Sequence, residues 1–181
     1  KDGEMVSVKL SPAEHAIIVS RESYYPWKKD VKINSGQNVN LAAIYVSQNP
    51  SGNIITKNDK DYTKIKTSVQ KNKLATKDQP KKDSAELTSI WVEDNTVMAR
   101  VGEKDLVVIR PEEEIKNLEF YKDRNDAVIF SAGNGIFVIE ITKGGTQNFM
   151  PIYKGTNPIF TSDNPDYIYV LDGDNLMQVI I

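Results

Sequence analysis

A degenerate internal repeat over residues 84–181 constrains the fold of this chain more than any other feature. Asp123 and Asp163 are 40 residues apart, and so are Gly133 and Gly173. In each copy a strand-like run precedes an Asp, and two further apolar runs flank a Gly, which predicts strands joined by tight turns. The three copies are SIWVEDNTVMARVGEKDLVVI, LEFYKDRNDAVIFSAGNGIFVIEI and PIFTSDNPDYIYVLDGDNLMQVII.

The repeating unit is expected to contain four strands, because a further strand is predicted between the second and third copies, at 147–153. Four strands in about 40 residues are typical of a β-propeller blade. Only two to three such blades fit within 84–181, whereas propellers close a ring with about 4–8. We therefore expect an incomplete ring with open apolar faces, and self-association or a protein partner that covers them.

The first segment, 1–57, is predicted to form a small β-sandwich of the Ig-like kind. Short alternating and β-branched runs are separated by turn signals, N-S-G at 34–36 and N-P-S-G at 49–52. The five or six strands fit a small antiparallel sandwich. The expected strands are 5–10, 15–21, 31–33, 38–46 and 53–56. With the repeats, this segment places the whole chain in the all-β class.

Residues 58–83 break the strand pattern and are predicted to be a flexible, Lys-rich linker. The stretch 57–83 contains nine Lys, four Asp and only five apolar residues, too few to offset the entropy of ordering. Tyr62, Ile65 and Val69 have helical spacing, which is compatible with one or two turns of helix. An alternative interpretation of the basic charge is contact with an anionic surface.

The composition excludes several classes of function. The chain has no Cys and one His, which excludes disulfides, thiol nucleophiles and the usual Cys and His metal sites. We predict no cofactor. Residues 84–181 hold 8 basic and 16 acidic side chains, so no nucleic-acid partner is expected. No apolar run approaches the roughly 18 residues of a membrane-spanning helix.

Part of the first segment resembles the PEGA domain, a small β-sandwich of bacterial surface-associated proteins. The stretch LSPAEHAIIV at 10–19 is similar to the opening of that domain, with Pro12, Glu14 and Ala16 in place. The stretch VKINSGQNV at 31–39 is similar to the later strand–Gly–strand element of the family.

The C-terminal part is similar to the propeller-like tails that accompany PEGA domains in bacterial envelope proteins. The residues concerned are GGTQN at 144–148 and PIYKG at 151–155. The resemblance implies an exported, membrane-tethered protein, extracellular or in the cell envelope, that binds or scaffolds and is not an enzyme. It also implies a membrane anchor preceding Lys1.

An aromatic cluster near the start of the chain is the candidate contact site. Tyr24, Tyr25 and Trp27 follow a predicted strand, and Pro26 ends that strand or lies on an edge. One interpretation is that Trp27 and one Tyr close the open end of the sandwich. The other is an exposed aromatic patch for a surface glycan or a protein, which makes a carbohydrate-binding module the alternative function.

Enzymatic interpretations find little support in the residue pattern. Ser68 and Lys71 fit S-x-x-K and 162–164 reads S-D-N, both acyl-serine signatures, but no K-T-G follows. A glycoside hydrolase needs two converging carboxylates, and the candidates sit at turns where Asp bonds its own backbone. These candidates are Glu112 to Glu114, Asp123 with Asp126, and Asp163 with Asp166. We therefore predict no catalytic residues and a function in binding or scaffolding.

Overall fold

The structure, a computed structural model, describes residues 5–142 and 145–181, which form fourteen β-strands, one α-helix and one 3-10 turn. The strands are β1 (Ala13–Val19), β2 (Trp27–Ile33), β3 (Gly52–Ile55), β4 (Lys81–Lys82), β5 (Thr88–Glu93), β6 (Thr96–Val101), β7 (Lys104–Ile109), β8 (Ile115–Phe120), β9 (Ala127–Ala132), β10 (Gly135–Glu140), β11 (Phe149–Lys154), β12 (Ile159–Asn164), β13 (Tyr167–Asp172) and β14 (Asn175–Ile180). Helix α1 is Tyr62–Lys71, and the 3-10 turn is Tyr121–Asp123. The polar start, residues 1–4, and Gly144 of the stretch similar to propeller tails lie outside the described residues.

The strands form four antiparallel sheets, which confirms the all-β class. The hairpin sheet pairs β1 with β2, and sheet one has the order β4-β5-β6-β7. Sheet two has the order β11-β10-β9-β8, and sheet three has the order β12-β13-β14-β3. The three larger sheets each have four strands and correspond to the three copies of the sequence repeat.

The turns of the repeat have the expected chemistry. Gly102, Gly133 and Gly173 connect consecutive strands with φ of 62°, 53° and 60°, the left-handed region that glycine occupies without strain. The additional strand expected at 147–153 is β11. One detail differs, because Asp163 lies within β12 and the turn follows it. The propeller-like arrangement of the sheets stays a prediction.

Sheet two lies between sheets one and three, and it is buried on both faces. Along β9 all six residues are buried. Ile129 packs in a core cluster with Phe160 of sheet three. Its neighbours Val128 and Phe130, which point to the other face, pack in a second cluster with Ile90 of sheet one. This explains why the strand is apolar throughout instead of alternating.

The first segment differs from the self-contained sandwich expected for 1–57. Three strands form there instead of five or six, and the predicted strands at 5–10 and 38–46 are not assigned to a sheet. β3 belongs to the first segment in sequence, but it forms the outer strand of sheet three, beside β14. Gly52 permits this pairing, because a Cβ at that position would lie 2.8 Å from the Gln178 carbonyl oxygen. The segment is therefore built into the rest of the molecule.

Residues 58–83 also differ from the expected solvated linker, because they include α1 and β4. The helix places Tyr62, Ile65 and Val69 on one face, and Val69 is only 1% exposed. This face packs on Leu171 and Leu176 of sheet three. Three of the five apolar residues lie in the helix, and its spacing collects them into one stripe that is wide enough to pack on the sheet. Within the described ranges no helix is long and apolar enough to span a bilayer.

Candidate binding site

A cavity of about 1240 Å³ lies beside the loop that joins β1 to β2. Its walls come from this loop, from the extended segment 41–51, from the 3-10 turn and from the end of β14. We call it the hairpin cavity. Residues that line it include Arg21, Tyr24, Tyr45, Tyr121, Lys122 and Ile180.

One wall is an extended segment that behaves as an incomplete strand. The Tyr25 backbone N–H donates to the Val46 carbonyl oxygen at 2.9 Å. Ile44 and Val46 are buried in the core, whereas Tyr45 between them is 46% exposed. This alternation is that of a β-strand with one buried face, yet no sheet ladder is assigned along 44–46.

Arg124 holds the beginning of this wall in place. Its guanidinium donates to the carbonyl oxygens of Ala42 at 2.9 Å and Ala43 at 3.2 Å. The same guanidinium forms two hydrogen bonds of 2.8 Å with the carboxylate of Asp126. The bidentate pair orients the guanidinium, and the two carbonyl bonds fix the backbone path beside the cavity.

Tyr121 lines the cavity and carries an unsatisfied polar group. Its side chain is 2% exposed, and among the described residues its hydroxyl has no hydrogen-bond partner. Burial raises the pKa of Tyr121 to about 12, against the opposing effect of the Arg124 charge. The hydroxyl therefore stays protonated and remains a donor at neutral pH. Lys122 and Asp123, which follow it, have left-handed φ of 51° and 56°.

The charged side chains that line the hairpin cavity are cationic. Arg21 places its guanidinium carbon 4.5 Å from the ring centre of Tyr24, and the Lys122 ammonium lies 5.7 Å from the ring centre of Tyr121. No Asp or Glu belongs to the described lining. Arg21 and Lys122 each make a further interaction within the protein, so neither charge is left without a partner.

A buried carboxylate attaches the hairpin sheet to sheet two. Glu140 is buried, and it accepts hydrogen bonds from the Trp27 indole N–H at 2.6 Å and the Asn148 amide at 2.9 Å. Lys29 forms an ion pair with it at 3.0 Å. Asn148 also bonds the backbone of Lys28 in both directions. This network fixes the position of the loop that bounds the cavity.

The predicted contact residues Tyr24, Tyr25 and Trp27 do not form a common exposed patch. Trp27 is 2% exposed and belongs to the main core cluster, and Tyr25 packs against that cluster. Tyr24 alone of the three lines the cavity. The interpretation of Trp27 as a contact residue is corrected to a core residue, because its indole ring is buried and its N–H is held by Glu140.

Comparison with known proteins gives no relative on which to base an assignment. No protein-family model, no curated protein and no solved structure matches this chain. The resemblance of 10–19 and 31–39 to the PEGA domain therefore stays a prediction. The chemistry of the site follows from its own geometry.

The two acyl-serine motifs meet in space, but not in a cleft. The Ser68 hydroxyl donates to Asp163 at 3.4 Å, because α1 packs against β12. Thr161 donates to the other oxygen of the same carboxylate at 3.3 Å. Lys71, the base that the motif would need, is exposed at the helix end. The contact links helix to sheet, and neither Ser68 nor Asp163 lines the hairpin cavity.

The other carboxylates considered from the sequence are occupied in local structure or lie apart from the cavity. Asp126 pairs with Arg124, and Asp163 accepts from Ser68 and Thr161. Asp166 and the glutamates 112–114 do not line the hairpin cavity. Across residues 5–142 and 145–181, no group of three or more His, Asp or Glu side chains is arranged to hold a metal ion.

The residues that shape the hairpin cavity were not identified from the sequence. Tyr121 and Arg124 lie in the short connection between β8 and β9, where the sequence predicts only a turn. Glu140 is the exception, because the sequence shows it as a charged residue that interrupts the apolar run GIFVIEI. A carboxylate inside such a run is buried unless the strand ends before it, and a buried carboxylate needs partners.

Proposed function

We propose that this chain is a non-enzymatic binding module of the bacterial cell envelope, and that its hairpin cavity holds an extended segment of a partner protein. The observation that supports the proposal is a cavity bounded by an incomplete strand, in which buried Ile44 and Val46 alternate with the exposed Tyr45 while no sheet ladder is assigned along 44–46. The envelope location rests on the resemblance of 10–19 and 31–39 to the PEGA domain.

The dimensions of the cavity favour a polypeptide over a small metabolite. Its volume of about 1240 Å³ exceeds the roughly 300–1,000 Å³ of typical small-molecule sites. Leu41 and Tyr45 present exposed apolar side chains beside the opening. An added strand buries such side chains and uses backbone hydrogen bonds for affinity, which is the usual mode of β-strand addition.

The Tyr121 hydroxyl is buried in the wall of the cavity and has no partner among the described residues. A buried hydroxyl without a partner costs about 1–3 kcal/mol. We expect the Tyr121 side chain to turn outward when an extended segment binds, so that the hydroxyl donates to one of the carbonyl oxygens of that segment. Because the pKa of Tyr121 is raised to about 12, the group donates throughout the physiological range.

Strand capture can be tested with two labelled ten-residue peptides, one alternating Thr with Val and the other with Pro in place of each Val. We expect the Val peptide to bind at least tenfold more tightly in fluorescence anisotropy, because Pro removes the backbone N–H donors that an added strand uses. The double variant Leu41→Ser/Tyr45→Ser removes exposed apolar side chains beside the opening and should weaken binding of the Val peptide about tenfold. The matched control Leu87→Ser/Val107→Ser removes two exposed apolar side chains elsewhere and should leave the affinity unchanged.

Three other outcomes would overturn the proposal. Equal affinity for both peptides, or equal weakening by the control variant, means that the peptides do not bind by strand addition beside 44–46. Binding of neither peptide excludes strand capture at this site. Binding of chitohexaose without either peptide, lost in the variant Tyr24→Ala, assigns the cavity to carbohydrate.

A further inference from the structure

A second, smaller cleft of about 220 Å³ opens at one end of the interface between sheets one and two. It is lined by the rings of Phe130, Phe137 and Phe149, and we call it the phenylalanine cleft. Ring centres lie 5.1 Å apart for Phe137 and Phe149 and 5.7 Å apart for Phe130 and Phe137. Phe149 is 48% exposed, so the cluster is incompletely covered.

Strand pairing places the three rings on the same face. Phe130 lies directly opposite Phe137 in the β9–β10 pair, and Phe149 lies opposite Ile139 in the β10–β11 pair. Gly135 leaves the space that the Phe137 ring fills, because a Cβ at position 135 would lie 2.4 Å from that ring. The glycine has an ordinary negative φ, so its role here is close approach and not a turn.

Two glutamates border the cleft, whose lining is mostly apolar. Glu112 and Glu113 both line it. A Cβ on Gly133 would lie 2.8 Å from the Cγ of Glu113, so this turn glycine makes room for the glutamate side chain. Within the described parts of the chain, neither carboxylate forms an ion pair. The nearby Lys116 instead directs its ammonium to the Gly133 carbonyl oxygen at 2.9 Å.

We propose that the phenylalanine cleft binds one aromatic or aliphatic side chain of a partner protein that carries a Lys or Arg next to it. The volume of about 220 Å³ lies below that of a drug-sized site and suits a single side chain. Buried anchor residues of this kind supply most of the energy of many interfaces. The flanking glutamates and the ring faces both favour a cation.

This cleft is independent of the hairpin cavity in position and in charge. It lies between sheets one and two and carries two carboxylates, whereas the hairpin cavity carries two cations. The two sites share no lining residue. Failure of one proposal therefore leaves the other intact, and each can be tested in the full chain.

The cation preference can be measured with two small probes, 2-phenylethylammonium and 3-phenylpropionate, titrated into ¹⁵N-labelled protein at pH 7. We expect the ammonium probe to shift the amide resonances of 133–135 and to bind about threefold to fivefold more tightly than the carboxylate probe. Glu112→Gln/Glu113→Gln should abolish this preference. Phe149→Ala, at a partly exposed position, should lower the affinity for both probes. The control Glu103→Gln/Asp174→Asn removes two exposed carboxylates elsewhere.

Two results would overturn the inference. Equal binding of the two probes by the unmodified protein shows that Glu112 and Glu113 do not select a cation. Resonance shifts that survive Phe149→Ala unchanged, or that occur away from 133–135, show that the probes bind elsewhere. Near-identical amide spectra of the variants before titration verify that each one folds.

Discussion

At the scale of single residues, Glu140 decides how the hairpin sheet is attached. Replacing it by Ala leaves the Trp27 indole N–H without its acceptor and the Lys29 ammonium without its counter-charge. Breaking a buried, hydrogen-bonded ion pair on one side costs about 3–5 kcal/mol. Because Lys29 is partly exposed, we expect Glu140→Ala to lower the free energy of unfolding by about 3 kcal/mol, measured by urea denaturation.

Two companion variants show whether the carboxylate itself is responsible. Glu103→Ala removes an exposed carboxylate from a turn and should change the unfolding free energy by less than about 0.5 kcal/mol. Glu140→Gln keeps an oxygen that can accept from Trp27, so its loss should be smaller than that of Glu140→Ala. A loss below about 1 kcal/mol for Glu140→Ala would contradict the attachment of the hairpin sheet through Glu140.

At the scale of elements, α1 distinguishes the linker expected from sequence from a packed helix. Trypsin cuts lysines only where the chain opens locally, so we expect Lys64, Lys66 and Lys71 to be cut slowly in the unmodified protein. Val69→Asp places a charge in the contact with sheet three and should speed cleavage within 57–83 at least tenfold, for a cost of about 2 kcal/mol. Gln70→Asp, one residue away at an exposed position, should leave the rate of cleavage unchanged.

If α1 is cleaved as fast in the unmodified protein as in Val69→Asp, the result supports a flexible linker instead of a packed helix. Limited proteolysis followed by mass spectrometry gives the cut sites directly. Cleavage spread over the whole chain in Val69→Asp would show that the helix stabilises more than its own segment and the strands β12 and β13 against which it packs.

The sequence predicted those features that depend on residues close together in the chain, and α1 shows the limit of such predictions. The strands of 84–181 follow from alternation and from turn residues that lie next to each other in the chain. The helix instead depends on Leu171 and Leu176, about a hundred residues away, which supply the surface that its stripe covers. The run NII in β3 was predicted as a strand, but its pairing with β14 has no local signal.

The candidate site was harder to predict for the same reason. The aromatic cluster at 24–27 is conspicuous in sequence, but the structure buries Trp27 because Glu140, 113 residues later, offers an acceptor. Tyr121 lines the cavity and Arg124 bonds its wall only because the connection between β8 and β9 lies beside the segment 41–51 in the folded chain. Composition and turn signals carry no information about such tertiary contacts.

At the scale of the whole molecule, the first segment and the repeats form one structure. Trp27 shares a core cluster with Phe160 of sheet three, and β3 completes that sheet. We therefore expect a single cooperative unfolding transition. The chain has two tryptophans, so Trp91→Phe leaves Trp27 as the fluorescence reporter and Trp27→Phe leaves Trp91. In each variant, the urea midpoint from fluorescence should equal the midpoint from far-ultraviolet circular dichroism.

A core substitution makes this comparison decisive. Phe160 is fully buried in the shared cluster, and Phe160→Ala should cost about 3–5 kcal/mol. If the chain is one cooperative unit, this change moves the Trp27 and Trp91 midpoints to lower urea together, because both report the same transition. If the first segment folds by itself as an independent sandwich, Trp27 keeps its midpoint while Trp91 shifts. The control Ile54→Ala, on the exposed side of β3, should move neither by more than a small amount.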